Sequence, residues 1–191
     1  MGEIVVGISG ASGAIYGIRL VEELRTLGKV VRLIVSDAGR ITMMHECYTT
    51  PEEFAERTGA LLEDNADIGA KSASGSAKID GVVICPCSGT TLGKLASGIG
   101  DNLLTRSAIV AMKERRNLIL IPREAPYATV HLENMTKLSN WNTVILPASP
   151  GFYNQPKSIA DLVDFVVARI LDQLKLEHDI GKRWTGTEIN T

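Results

Sequence analysis

The chain alternates between short, unbroken apolar runs and longer stretches in which apolar residues recur every three or four positions. The runs are Glu3–Ile8 (EIVVGI), Lys29–Val35, Gly81–Ile84 (GVVI), Asn117–Ile121 (NLILI) and Thr143–Leu146 (TVIL). They are rich in β-branched residues and apolar on nearly every position, which predicts strands covered on both faces. The helical period recurs over Ile15–Leu27, from Ser36-Asp37 to Glu46, from Thr50-Pro51 onward, over Thr91–Ala96, Asn102–Arg115, Pro126–Asn140 and Lys157–Leu174. Local punctuation supports these limits. Gly28 stops the first helix, Ser36-Asp37 caps the second, and Pro51 sits in the first turn of the third. Ser158 with Asp161 three residues on is close to a capping box. Residues 64–76 are small and polar and read as an irregular connection.

Strands that alternate with helices predict a Rossmann-like α/β domain, a mostly parallel sheet with helices on both faces. One domain over residues 1–176 is expected, with 177–191 as a polar tail that contributes to the site or to oligomer contacts. In such a fold ligands bind at the carboxyl ends of the strands. Five such ends follow from the pattern. They carry Ser9-Gly10-Ala11-Ser12-Gly13, Ser36, Cys85-Pro86-Cys87-Ser88-Gly89-Thr90-Thr91, Pro122-Arg123-Glu124-Ala125-Pro126 and Pro147 to Tyr153. Hydroxyl, glycine, proline and charged residues are thus expected along one edge of the sheet.

Composition narrows the partners. The 191 residues are 45% hydrophobic with a formal charge of −2, a balance without the basic excess that a phosphate backbone demands. A nucleic-acid partner is therefore not expected. No apolar run reaches the length of a membrane span, and a strand beginning at Glu3 leaves no room for a signal peptide. Three cysteines, Cys47, Cys85 and Cys87, form no familiar disulfide framework and read as free thiols of a cytoplasmic protein.

Each candidate constellation has a plain structural alternative. Gly10-Ala11-Ser12-Gly13 before a helix suits an anion at the helix N-terminus, or is a tight turn. It departs from the dinucleotide fingerprint, and no acidic residue ends the second strand, which argues against NAD. Cys85-Pro86-Cys87 lacks the further ligands a zinc site needs, so no metal is expected; Ser88, Thr90 and Thr91 are the better ligand candidates. Arg123 and Glu124, bracketed by Pro122 and Pro126, are held in a stiff loop where a ligand explains adjacent opposite charges. Lys113 to Arg116 end a helix, where the dipole alone accounts for basic residues. Arg169 on an apolar helix needs a partner, and an anion in a cleft is one. His45, His131 and His178 read as structural or surface residues.

Taken together, the motifs resemble the UbiX/Pad family of flavin prenyltransferases. The resemblance is carried by GISGASGAIYG at 7–17, SGS at 74–76, ICPCS at 84–88, LLTRSAIVAMKERR at 103–116, PREAP at 122–126, HLENMTKLS at 131–139, LPASPGFYNQP at 146–156, LVDFVVARILD at 162–172 and RW at 183–184. It implies a metal-independent transfer of the dimethylallyl group of dimethylallyl phosphate to N5 and C6 of reduced FMN. The prenylated FMN would serve a UbiD-type decarboxylase. It also implies that Gly10, Ala11, Ser12, Ser36, Ser88, Gly89, Thr90, Thr91 and Arg123 hold FMN. Arg106, Lys113, Tyr153, Arg169 and Trp184 would meet the allylic donor, and Glu124, Lys113 and Glu46 would serve the chemistry. Members form homo-oligomers, typically dodecamers, with sites at subunit junctions.

The chain departs from some members where Ile68 stands near a tryptophan they carry before SGS. Two rivals share the resemblance's flavin but not its chemistry. One is an FMN-dependent cysteine decarboxylase, which typically uses a histidine in its first helix region; Ile15–Leu27 has none. The other is a non-catalytic FMN carrier.

Overall fold

The computed structural model describes residues 2–181, 183 and 186. Six strands, β1 (Glu3–Ile8), β2 (Val30–Val35), β3 (Leu61–Glu63), β4 (Gly81–Cys87), β5 (Asn117–Pro122) and β6 (Val144–Ile145), form one sheet in the order β3-β2-β1-β4-β5-β6. All five pairings are parallel. This is the doubly wound order, and it reverses direction between β1 and β4. Five of the strands stand where the apolar runs predict them. The sixth, β3, is an addition: three residues without β-branching, paired only to β2 at the sheet edge. So short a stretch carries no period to read.

Among the described residues seven α-helices cover the sheet: α1 (Ala14–Thr26), α2 (Asp37–Cys47), α3 (Pro51–Thr58), α4 (Gly89–Ala96), α5 (Leu103–Lys113), α6 (Thr129–Asn140) and α7 (Ile159–Gln173). Alternate residues of each central strand face opposite layers, as a pleated strand requires. Val6, Ile8, Leu33, Val83 and Ile119 face the layer of α1, α3 and α7, against Leu20, Phe54 and Val167. Val5, Ile34, Val82, Ile84 and Leu120 face the layer of α4, α5 and α6, against Leu92, Leu104 and Leu138. Two dry cores thus hold the strand ends rigidly on one edge.

The described residues beyond α7 pack back on the domain. Leu176 and Ile180 pack on the first core, and a Cβ on Gly181 would lie 2.9 Å from that of Ala168. The described part of the segment lies along α7.

Candidate active site

The reversal between β1 and β4 opens a crevice that a single serine holds in place. Ser9, 1% exposed, donates its hydroxyl to the Pro86 carbonyl at 2.8 Å. The same oxygen accepts the Ser88 amide at 2.8 Å. Ser88 in turn caps α4, accepting from the Thr91 amide at 3.2 Å, and its hydroxyl donates to Thr91 Oγ1 at 3.0 Å. On the other side of β1, the Ser36 amide donates to the Ile8 carbonyl at 3.0 Å, and Ser36 Oγ caps α2 through Gly39 at 3.1 Å.

These caps surround a cleft of about 360 Å³ lined by Gly10, Ser36, Ser88, Thr90 and Thr91. Asp37, Ala38 and Leu104 also line it, with Asn65, Lys94, Asn102 and Thr105, and none of these last four stood out in the sequence as a ligand candidate. Asn102 is the cap of α5, its Oδ1 accepting from Thr105 at 2.9 Å. The Asn-x-x-Thr spacing before an apolar helix is the signal that could have found it. Asn65 had none, because only folding brings its loop to α5. There its carbonyl accepts from Leu103 at 2.8 Å and its Oδ1 from Leu104 at 3.0 Å. Three helix N-termini therefore converge on the cleft, each with the partial positive charge that favours an anion.

The N-terminus of α1 has a different occupant. Glu46 accepts from the Gly13 and Ala14 amides at 2.8 and 2.9 Å. Burial pushes the Glu46 carboxyl up, but the Ser12 hydroxyl, the two amides and the Arg123 charge together hold it below its usual range. The carboxylate therefore satisfies the first-turn donors that the sequence left open to an external anion. Arg123 joins this cluster by donating Nε to the Ser12 carbonyl at 3.1 Å. Gly10 is needed for close packing here: a Cβ would sit 2.3 Å from that of Ala38 on α2. Glu124 accepts from the Ala125 amide at 3.1 Å.

Tyr153 and Arg169 meet in a second cleft of about 270 Å³, with Phe165, Asp172, His178 and Arg183. Tyr153 packs edge-on against Phe165, ring centres 5.7 Å apart. Arg169 donates to Asp172 at 2.9 Å. The His178 side chain, 2% exposed, is interior rather than a surface residue.

Arg106 and Lys113 belong to neither cleft. They lie seven residues apart on the exposed side of α5, which places both on one face. Lys113 pairs with Glu114 and overhangs Gly75, where a Cβ would lie 2.7 Å from its Nζ. Arg116 grips the same segment through the Gly75 carbonyl and, at 2.7 Å, the Ala77 carbonyl. The eleven residues of α5 put Lys113 roughly 16 Å along the axis from the end that lines the first cleft. Trp184 lies outside the described residues.

Cys85 and Cys87 are buried, and desolvation pushes both thiols up, Cys87 to about 12. Among the described residues no group of His, Cys, Asp and Glu is arranged to hold a metal ion, and no helix is long and apolar enough to cross a membrane.

A doubly wound sheet with an anion-friendly crevice at its reversal defines a nucleotide-binding α/β protein. The flavoprotein family model matches residues 2–171. The flavin prenyltransferase UbiX of Thermoplasma acidophilum is 48% identical over 181 residues, 95% of this chain and 99% of that protein. The chain thus belongs to the flavoprotein family and, within it, to the UbiX flavin prenyltransferases. Two solved structures superpose closely. The dodecameric FMN-dependent UbiX-like decarboxylase of Escherichia coli O157:H7 gives a TM-score of 0.93 at 39% identity, covering 96% of this chain and all of that one. AnUbiX (PadA1) in complex with FMN and dimethylallyl pyrophosphate gives 0.95 at 37%, covering 98% and 99%. The peptidyl-cysteine decarboxylase EpiD, at 17% identity and a TM-score of 0.66, shares the fold alone.

Proposed function

We propose that this chain joins the dimethylallyl group of dimethylallyl phosphate to N5 and C6 of reduced FMN, without a metal. The observation that carries this reading is the end-to-end likeness to a structure that holds FMN and dimethylallyl pyrophosphate together. The cysteine-decarboxylase alternative has only a shared fold behind it.

The first cleft fits the phosphate end of FMN. Its hydroxyls come from Ser36, Ser88 and Thr91, and three helix N-termini face it. Gly89 and Thr90, in the first turn of α4, offer further polar contact, and Ala11 and Ser12 lie beside the flavin end. Arg123 holds a flavin oxygen with its planar fork. Glu46 acts behind it, fixing the Ser12–Ala14 turn against which Arg123 lies. Reduced FMN, when bound, supplies the nucleophile.

Tyr153 and Arg169 take the phosphate of the donor. As the allylic carbon–oxygen bond breaks, negative charge builds on the departing phosphate, and fixed cations there are worth more than in water. Arg106 and Lys113 add to that charge from a neighbouring subunit, which explains why one chain displays them on its outside. Glu124 accepts the proton lost from C6. Trp184 belongs to the donor side in this reading. The assembly is a homo-oligomer, a dodecamer, in the cytoplasm, and the product passes to a UbiD-type decarboxylase.

The test is anaerobic incubation with reduced FMN and dimethylallyl phosphate, with mass spectrometry of the released flavin. A flavin heavier by one prenyl unit is expected. Unchanged flavin overturns the reading.

A further inference from the structure

Asp172, in the last turn of α7, divides its carboxylate between two arginines. Oδ2 accepts from Arg169 Nη1 at 2.9 Å, and Oδ1 accepts from Arg183 Nη2 at 2.8 Å. His178 Nε2 stands 3.2 Å from the same Oδ1. His178 is fixed from behind: its Nδ1 donates to the Ile180 carbonyl at 3.1 Å, a bond that places a proton on that nitrogen. A chain of contacts therefore runs from a buried imidazole, through a mostly buried carboxylate, to Arg169 at the open mouth of the Tyr153 cleft.

A carboxylate beside an anion site has a cost, because it repels the ligand. Asp172 offsets that in one way only. Two guanidinium groups against one carboxylate leave the cluster net positive, while each fork is fixed by a charge-assisted bond. A long arginine side chain half in solvent samples many rotamers without such a bond, and each must be frozen when a ligand binds. Burial raises the Asp172 carboxyl, but Arg183, His178 and Arg169 hold it low, so the bonds are those of an ionised acid.

We infer that Asp172 is a positioning residue that aims Arg169 and Arg183 at the phosphate of the allylic donor. The inference rests on the prenyl-transfer reading above. It assigns Asp172 no contact with substrate and no proton to move, so its signature is a change in donor affinity alone.

Steady-state transfer with reduced FMN and dimethylallyl phosphate tests it, alongside FMN titration of the same proteins. Asp172→Asn is expected to raise KM for dimethylallyl phosphate on the order of tenfold, the scale of one lost charge-assisted bond. FMN affinity should stay within about twofold. Asp172→Glu, which restores the charge, should recover part of the loss. In an Arg169→Lys background the Asp172→Asn change should add little, because both remove one interaction. Asp172→Ser carries the same expectations where the asparagine variant does not fold. Wild-type KM in the Asp172 variant, a loss of FMN binding equal to the loss of donor binding, or full additivity with Arg169→Lys overturns the inference and leaves the enzyme reading standing. Absence of transfer by the wild-type protein overturns both.

Discussion

The amide of Ser88 donates to the hydroxyl of Ser9 at 2.8 Å, joining residues 79 positions apart in the chain. That bond, with the return bond from Ser9 to Pro86, ties the loops after β1 and β4 together at the edge of the first cleft. Ser9→Ala removes both and leaves a semi-buried amide without its acceptor. A loss of roughly 1–3 kcal/mol is expected in urea unfolding, with weaker FMN binding by titration. An unchanged midpoint would show that other contacts hold the crevice.

Glu46 predicts an acid dependence with a definite sign. Its folded-state carboxyl lies below the ordinary glutamate value of 4.5, so folding favours the ionised form. The resulting stability is complete above 4.5 and is lost as pH falls through the folded value. Wild-type protein should therefore lose stability on acidification more steeply than Glu46→Gln, in parallel denaturant melts. Equal slopes would mean that the contacts with Gly13 and Ala14 contribute nothing.

Glu124 and Arg123 are neighbours with different partners, and their variants should separate. Glu124→Gln keeps shape and removes the base. FMN affinity should change little while transfer slows by roughly 10²–10⁴-fold. Wild-type turnover would hand the C6 proton to the released phosphate or another group.

Lys113 predicts a shared site. Lys113→Ala and Glu124→Gln should each be nearly inactive alone. Mixed oligomers, prepared by unfolding and refolding the two together, should regain activity, because some sites then draw Lys113 from one chain and Glu124 from another. If a mixture of verified hetero-oligomers stays as inactive as its components, Lys113 does not act across the junction.

Removal of metal offers a final check on the chemistry. Exhaustive dialysis against EDTA is expected to leave transfer intact, since arginine and lysine supply the positive charge at the phosphate. Activity lost to EDTA and restored by magnesium would place a cation in the reaction.

The layered α/β class and the positions of five of the six described strands are legible in the sequence. Runs such as Val82–Ile84 and Leu118–Ile121 have a buried parallel strand as their natural fate, and strand–helix alternation leaves few ways to stack them. It also determined which residues stand at the strand ends, because chain direction alone puts Ser36, Ser88 and Arg123 on one edge. Tertiary structure decided the rest. β3 exists through its pairing with β2, not through any propensity in Leu61–Glu63. The occupant of the α1 N-terminus is Glu46, 33 residues from Gly13, and no local pattern links the two. Asn65 reaches the cleft by capping a helix 39 residues away. His178 reads as a structural or surface residue, and only the packing of the described residues after α7 along that helix buries its imidazole. Contacts of this kind depend on which elements are neighbours in space. A one-dimensional period carries the burial of each element, but not the identity of the side chain that will meet it.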